Sequence, residues 1–208
     1  MQTVFRFLVI SFQSGTYGNY VSQQLVTQSP EFFCLSAFYE NCVFTTKNGN
    51  RYFHNSTPFL ADVFYFGVCG YPFLSTDPLS QSMIDEIRLA IENSRTYSLL
   101  SNSKYNIVLT HMYQDGALEN LKTILGPDTK IIRIMYESKS INEIANRFYD
   151  INSELNHELS HEAKNNFKLD HAIKNLQNVA DEPTNYIPLY YENIFDDGYI
   201  KTIIDKII

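Results

Sequence analysis

The stretch that decides the fold is residues 4–25, VFRFLVISFQSGTYGNYVSQQL. Residues 4–10 form an apolar run of strand length, rich in β-branched and aromatic side chains. Residues 11–17 are small or hydroxylated around Gly15, and Tyr20, Val21, Gln24 and Leu25 then recur at helical spacing. Strand, tight polar loop and helix together make a unit that can hold an anion, because loop N–H groups and the positive helix end point at one place. The loop is not a Walker A motif. That motif needs a lysine before its final hydroxyl, and Gly15 to Gly18 supply none, which argues against an ATPase or GTPase.

Working outward, the same alternation continues. Residues 32–39 are aromatic and fit a short extended piece, and residues 43–53 read as a hairpin about Lys47-Asn48-Gly49-Asn50. Residues 59–71 are apolar and aromatic, closed by Gly67, Gly70 and Pro72, and fit helix or strand. Asp77-Pro78 opens a helix with a stripe of Met83, Ile84, Ile87, Leu89, Ala90 and Ile91, ending at Asn93-Ser94. Residues 105–110 (YNIVLT) are a second buried strand, 116–125 a helix broken by Gly126-Pro127, and 130–136 (KIIRIMY) a third strand. Residues 140–177 form a long, polar and interrupted helical region, fit for outer helices or a lid. Residues 186–195 give the last strand and 197–208 a closing amphipathic helix.

Near-continuous apolar strands alternating with helices imply a mostly parallel sheet covered on both faces, a three-layer α/β/α domain. In such sheets ligands sit beyond the carboxyl ends of the strands. The Ser14 loop, His111 and the turn at Glu137 to Ser140 all fall at such ends.

The bulk numbers bound the function. A chain of 208 residues can bury one sizeable core, so one domain over residues 1–208 is expected. The net charge of −7 opposes nucleic acid or an anionic membrane as partner, and no run reaches membrane-spanning length. No leader peptide is evident, and Cys34, Cys42 and Cys69 are odd in number in apolar surroundings. Buried free thiols in a reducing, cytoplasmic setting are the expectation.

Several segments carry a family resemblance. Phe12-Gln13-Ser14-Gly15-Thr16-Tyr17 resembles the first loop of sulfotransferases, P-K-S-G-T-T, with Gln13 at the lysine and Tyr17 at the second threonine. Leu109-Thr110-His111 resembles the K-T-H strand end of the cytosolic members. Residues 130–147 resemble the later strand and helix in position and pattern, with Tyr136 at the arginine, Ser138 at the proline and Ser140 near the aspartate. Residues 188–193 with Asp196-Asp197 resemble the R-Y-E-D-L-x-x-D-P segment. The order of the pieces is the family's order across most of the chain.

The resemblance implies a P-loop NTPase-like, sulfotransferase-like fold that binds 3′-phosphoadenosine 5′-phosphosulfate (PAPS). It implies sulfuryl transfer to a hydroxyl or amine of a small-molecule or saccharide acceptor. Gln13, Ser14, Gly15, Thr16 and Tyr17 would hold the 5′-phosphosulfate, Lys139 and Ser140 the 3′-phosphate, with Arg147 a further cation nearby, and His111 would be the general base. Loss of cationic residues at positions 13 and 136 favours an alternative, a degenerate binding or assembly module of the same fold without donor binding. A separate motif, His157-Glu158-Leu159-Ser160-His161, is a literal HExxH and offers a minor alternative, a zinc protease. Its charged flanks, Glu154 and Glu162, fit a solvated helix better, so no metal site is assigned.

Overall fold

The computed structural model describes residues 5–13, 16–34, 43–45, 51–53, 76–92, 100–110, 114–155, 169–181 and 183–208. Its centre is a five-stranded, all-parallel sheet built of β1 (Arg6–Ser11), β2 (Phe32–Phe33), β5 (Tyr105–Thr110), β6 (Lys130–Met135) and β7 (Ile187–Tyr190). The spatial order is β2-β5-β1-β6-β7, so the first strand lies in the middle. It runs in register with β5 from Arg6↔Tyr105 to Ser11↔Thr110, and with β6 from Leu8↔Lys130 to Ser11↔Arg133. Strands β3 (Val43–Thr45) and β4 (Arg51–Phe53) form the expected antiparallel pair, with Val43 opposite Phe53. Their connecting residues, 46–50, lie outside the described residues, as do residues 59–71.

The strands read as unbroken apolar runs because both sheet faces are covered. Leu8, Ile10, Ile107, Ile132 and Ile134 face one side and join α1 (Gly18–Gln28), α4 (Ile141–Leu155), α5 (Leu169–Gln177) and α6 (Asp197–Ile207) in a single core cluster. Phe7, Val9, Val108 and Ile131 face the other side and pack on α2 (Gln81–Glu92) and α3 (Asp115–Leu125). Leu8, Val9 and Ile10 are wholly buried, so truncating Leu8 or Ile10 to alanine would cost about 2–5 kcal/mol. The architecture is the three-layer α/β/α fold with a parallel central sheet expected from the sequence.

Local signals set most boundaries. Gly126, at φ 116°, ends α3 with its N–H on the Lys122 carbonyl at 2.9 Å. Asp196 caps α6, accepting from the N–H groups of Gly198 (2.8 Å) and Tyr199 (3.2 Å). The opening of α2 differs from expectation. The helix starts at Gln81 rather than at Asp77-Pro78, and it is Ser80 whose hydroxyl accepts from the Met83 N–H at 3.4 Å. Leu89, expected in the inner stripe, is 59% exposed because Ile84, Ile87 and Ile91 define a face on the opposite side of the helix. The C-terminus of α3 is closed by Arg88, which donates to the carbonyls of Ile124 (3.1 Å) and Thr123 (2.7 Å).

The edge strand β7 is shielded by its own proline and by a tyrosine of α6. Pro188 offers no N–H, and the Tyr190 N–H donates to the Tyr199 hydroxyl at 3.0 Å. Cys34 is buried with its sulfur 4.0 Å from the Ser22 hydroxyl oxygen, while Cys42 and Cys69 lie outside the described residues. Among the described residues, no helix is long and apolar enough to cross a membrane.

Candidate functional site at the end of the central strand

Strands β1 and β5 are neighbours, yet α1 leaves β1 onto one face of the sheet and α3 follows β5 onto the other. Where adjacent strands send their helices to opposite faces, a crevice opens beyond their carboxyl ends. One wall of that crevice carries Phe12, Gln13, Thr16 and Tyr17. The Phe12 N–H donates to the Thr110 carbonyl at 3.1 Å and carries the β1–β5 pairing one step past the strands. The loop then closes on itself: the Thr16 N–H and hydroxyl both donate to the Gln13 carbonyl, at 3.0 and 2.7 Å. Thr16 is fully buried by this arrangement, and Gln13 is half-buried.

Tyr17 makes the turn into α1 with φ 63° and ψ 27°, the left-handed region that side chains other than glycine enter at a cost of about 1–2 kcal/mol. Its packing compensates. The Tyr17 ring lies 4.8 Å from Phe195 in an edge contact, 6.0 Å from Tyr191 and 6.2 Å from Tyr20. The Arg147 guanidinium, reaching over from α4, stacks on the same ring. Burial holds the Arg147 pKa down to about 10, with the neighbouring Tyr191 acting in the opposite direction. Tyr191 donates to Glu143 at 2.8 Å, and burial, then that bond, pushes its hydroxyl well above the ordinary tyrosine range. Helix α1 begins at Gly18 with no side-chain cap and no acidic residue in its first turn, so its positive end is uncompensated by the helix itself.

The second wall follows β5. His111 lies outside the described residues, as do Ser14 and Gly15. At these strand ends Thr110, Ser11 and Arg133 sit side by side on three adjacent strands, all buried. Arg133 donates to Asp115 at 2.7 Å, at the start of α3. The Tyr186 hydroxyl donates to the Asp115 carbonyl (3.2 Å) and to Glu119 (2.9 Å). A charged residue inside the apolar run KIIRIMY was the sequence signal for this pair, and it carried no motif.

The third place, the turn after β6, is spoken for. Lys139 is exposed with its ammonium on Glu137, and the Glu137 carboxylate raises its pKa by hydrogen bond and by charge. Ser140 is buried and donates to Glu192 at 2.5 Å. Tyr136 is buried with its hydroxyl on the Leu176 carbonyl at 3.2 Å. Of the expected donor-binding residues, Gln13, Thr16 and Tyr17 thus share one wall with Arg147, whereas Lys139 and Ser140 are engaged by carboxylates of the chain. The aromatic neighbours Tyr191 and Phe195 were not legible as site residues, since each ends an apolar run that reads equally well as core. The HExxH residues His157, Glu158 and His161 lie outside the described residues. Among the described residues, no group of three or more His, Cys, Asp or Glu side chains could hold a metal ion.

A parallel α/β domain with a loop-and-helix crevice at its central strand is the class these features define. No protein-family model matches the chain, and no curated protein is significantly similar to it in sequence. Among solved structures it is similar to a gluconokinase from Sinorhizobium meliloti, with TM-score 0.45 and 9% identity over 99% of this chain and 97% of that one. It is also similar to an uncharacterized protein from Eubacterium ventriosum, with TM-score 0.36 and 11% identity over 98% of each chain. Likeness at this level carries nothing about chemistry.

Proposed function

We propose that the chain is a group transferase whose donor, a nucleoside 5′-phosphosulfate of the PAPS type, is held at the loop between β1 and α1. The observation that carries this reading is the crevice itself, where α1 and α3 diverge to opposite faces beside an uncapped helix start. Arg147 on Tyr17 supplies a fixed positive charge next to a loop that lacks the family lysine. In the reaction the acceptor oxygen bonds to sulfur, the sulfur–oxygen bond to the 5′-phosphate breaks, and the acceptor proton passes to His111. Gln13, Ser14, Gly15, Thr16 and Tyr17 would surround the phosphosulfate, and the acceptor would be a small molecule or saccharide.

A second reading is favoured by one specific observation. The Thr16 N–H and hydroxyl are both committed to the Gln13 carbonyl rather than left for an anion. A loop closed in this way suits a binding or assembly module that no longer takes a donor. Calorimetric titration with adenosine 5′-phosphosulfate, repeated on Arg147→Gln and Gly15→Asp, separates the two. Micromolar binding, weakened about tenfold by Arg147→Gln and abolished by Gly15→Asp, is the expected result. No heat at millimolar ligand would refute the transferase.

A further inference from the structure

We propose that Tyr17 is an autoinhibitory clamp, which keeps the Thr16 donors on the Gln13 carbonyl until an incoming anion releases them. Resting on the transferase reading above, this clamp accounts for the observation that stands against that reading. The Thr16 N–H and hydroxyl lie next to the start of α1, yet both are turned onto the Gln13 carbonyl, at 3.0 and 2.7 Å. The residue that follows is the strained one. Tyr17 has φ 63°, a region that a tyrosine keeps only where its surroundings over-determine it. Its carbonyl accepts from the Val21 N–H at 3.0 Å, so the backbone that fixes Thr16 also opens α1.

What holds Tyr17 there comes from distant parts of the chain. Glu143 and Arg147, four residues apart, share one face of α4. Glu143 accepts from the Tyr191 hydroxyl at 2.8 Å, and the Arg147 guanidinium stacks on the Tyr17 ring. Tyr191 stands 6.0 Å from that ring, and Phe195 stands 4.8 Å from it with the two planes at 83°. A stiff segment presents Phe195. Ile194 beside it is wholly buried, and the Asp196 N–H donates to the Asn193 carbonyl at 3.0 Å. The Phe195 ring itself is 58% exposed and stands outside the buried core cluster. An anion arriving before α1 competes with this arrangement at two points. It pairs with Arg147 and weakens the hold on the ring, and it offers Thr16 a stronger acceptor than a carbonyl. The strain at Tyr17 is then no longer offset, and the ring and the Thr16 donors are released together.

The test needs one exposed side chain. Phe195→Ala removes a ring contact of the clamp and leaves the core cluster intact. Amide hydrogen exchange of Thr16, followed by NMR on the full chain, reads the population in which its N–H has left Gln13. Exchange should speed up about fivefold in Phe195→Ala, the worth of one aromatic pair, with Val9 and Val108 in the central strands unchanged. Calorimetry with adenosine 5′-phosphosulfate should show affinity about fivefold higher in the variant, because a larger fraction of it starts released. Phe195→Tyr keeps the ring and should match the native chain in both measurements. Unchanged Thr16 exchange in Phe195→Ala would overturn the clamp, while nucleotide binding in the native chain would leave the transferase standing. Affinity lowered by Phe195→Ala would also overturn the clamp, since the ring would then be touching the ligand. Faster exchange with no heat at millimolar ligand in either chain would overturn the transferase and, with it, release by an anion.

Discussion

Alanine at Gly18 tests how closely α1 is set against the loop that precedes it. A Cβ at this position would lie 2.4 Å from two atoms of the Phe12 ring and 2.6 Å from a third. Phe12 is 6% exposed and belongs to the core cluster shared by α1, α4, α5 and α6. One of the atoms met is Cγ, the root of the ring, so swinging a distal end cannot relieve the clash. Overpacking of this kind costs about 1–3 kcal/mol. Alanine recovers at most about 1 kcal/mol over glycine in a helix, and less at the first helical residue. The clash therefore wins, with an expected net loss of about 1–2 kcal/mol. In a chain of this length that corresponds to roughly 2–4 °C per kcal/mol in Tm. Urea denaturation followed by circular dichroism reads it directly. The substitution repeated on a Phe12→Ala background, which removes Cγ and the ring, should cost almost nothing, giving a coupling of about 1 kcal/mol or more between the two sites. A rise in the native-background midpoint, or an equal loss in both backgrounds, would refute the packing argument.

Asp196→Ala removes the cap of α6 and should cost about 1 kcal/mol, whereas Asp196→Asn should cost only a few tenths; equal losses would mean that the cap contributes little. Asp115→Ala removes the ion pair from the buried Arg133 guanidinium and should destabilise by about 2 kcal/mol, less than the roughly 3–5 kcal/mol of a fully buried pair because Asp115 is half-exposed. Arg133→Met, which removes the charge and keeps the volume, should cost less, and the reverse ranking in denaturation experiments would sink the argument. Burial first, then hydrogen bonds to Glu119 and Glu143, raise the hydroxyl pKa values of Tyr186 and Tyr191 in the folded chain. Their contribution to stability is fully present below the unfolded tyrosine value of about 10 and is lost as pH climbs beyond it. Tyrosinate absorbance should show both groups ionising only as the chain unfolds; smooth titration near 10 with the fold intact would contradict this.

What the sequence disclosed follows the range of each interaction. Strand β5 has the bounds read from YNIVLT, and α3 starts within one residue of expectation, because a continuous apolar run and a Gly-Pro break are local signals. The central position of β1 was not legible, since β5 and β6 are equally buried apolar runs. The placing of Arg147 over Tyr17 was open in the sequence, since a cation on a polar helix has many possible neighbours. The closure of the 137–140 turn was not legible at all. Glu192 and Asp181 come from far along the chain, and the sequence offers only an acidic residue after a strand and another in a loop. The start of α2 slipped because a Pro-preceding Asp and a Ser three residues later are both good caps, and only the latter hydroxyl meets a helical N–H.

The central position of β1 also dictates when the chain can fold. Its partners lie about a hundred residues downstream, at Tyr105 to Thr110 and Lys130 to Arg133. A nascent chain therefore carries the apolar segment Phe7 to Ile10 unpaired until Tyr105 to Thr110 and Lys130 to Arg133 have left the ribosome. Closing loops of that size is slow, and topologies dominated by distant pairings fold late and expose sticky strands meanwhile. Holding that first strand apart from other chains during synthesis thus falls to chaperones or to the ribosome surface. Expression yield should respond to chaperone supply more than to substitutions on the finished surface.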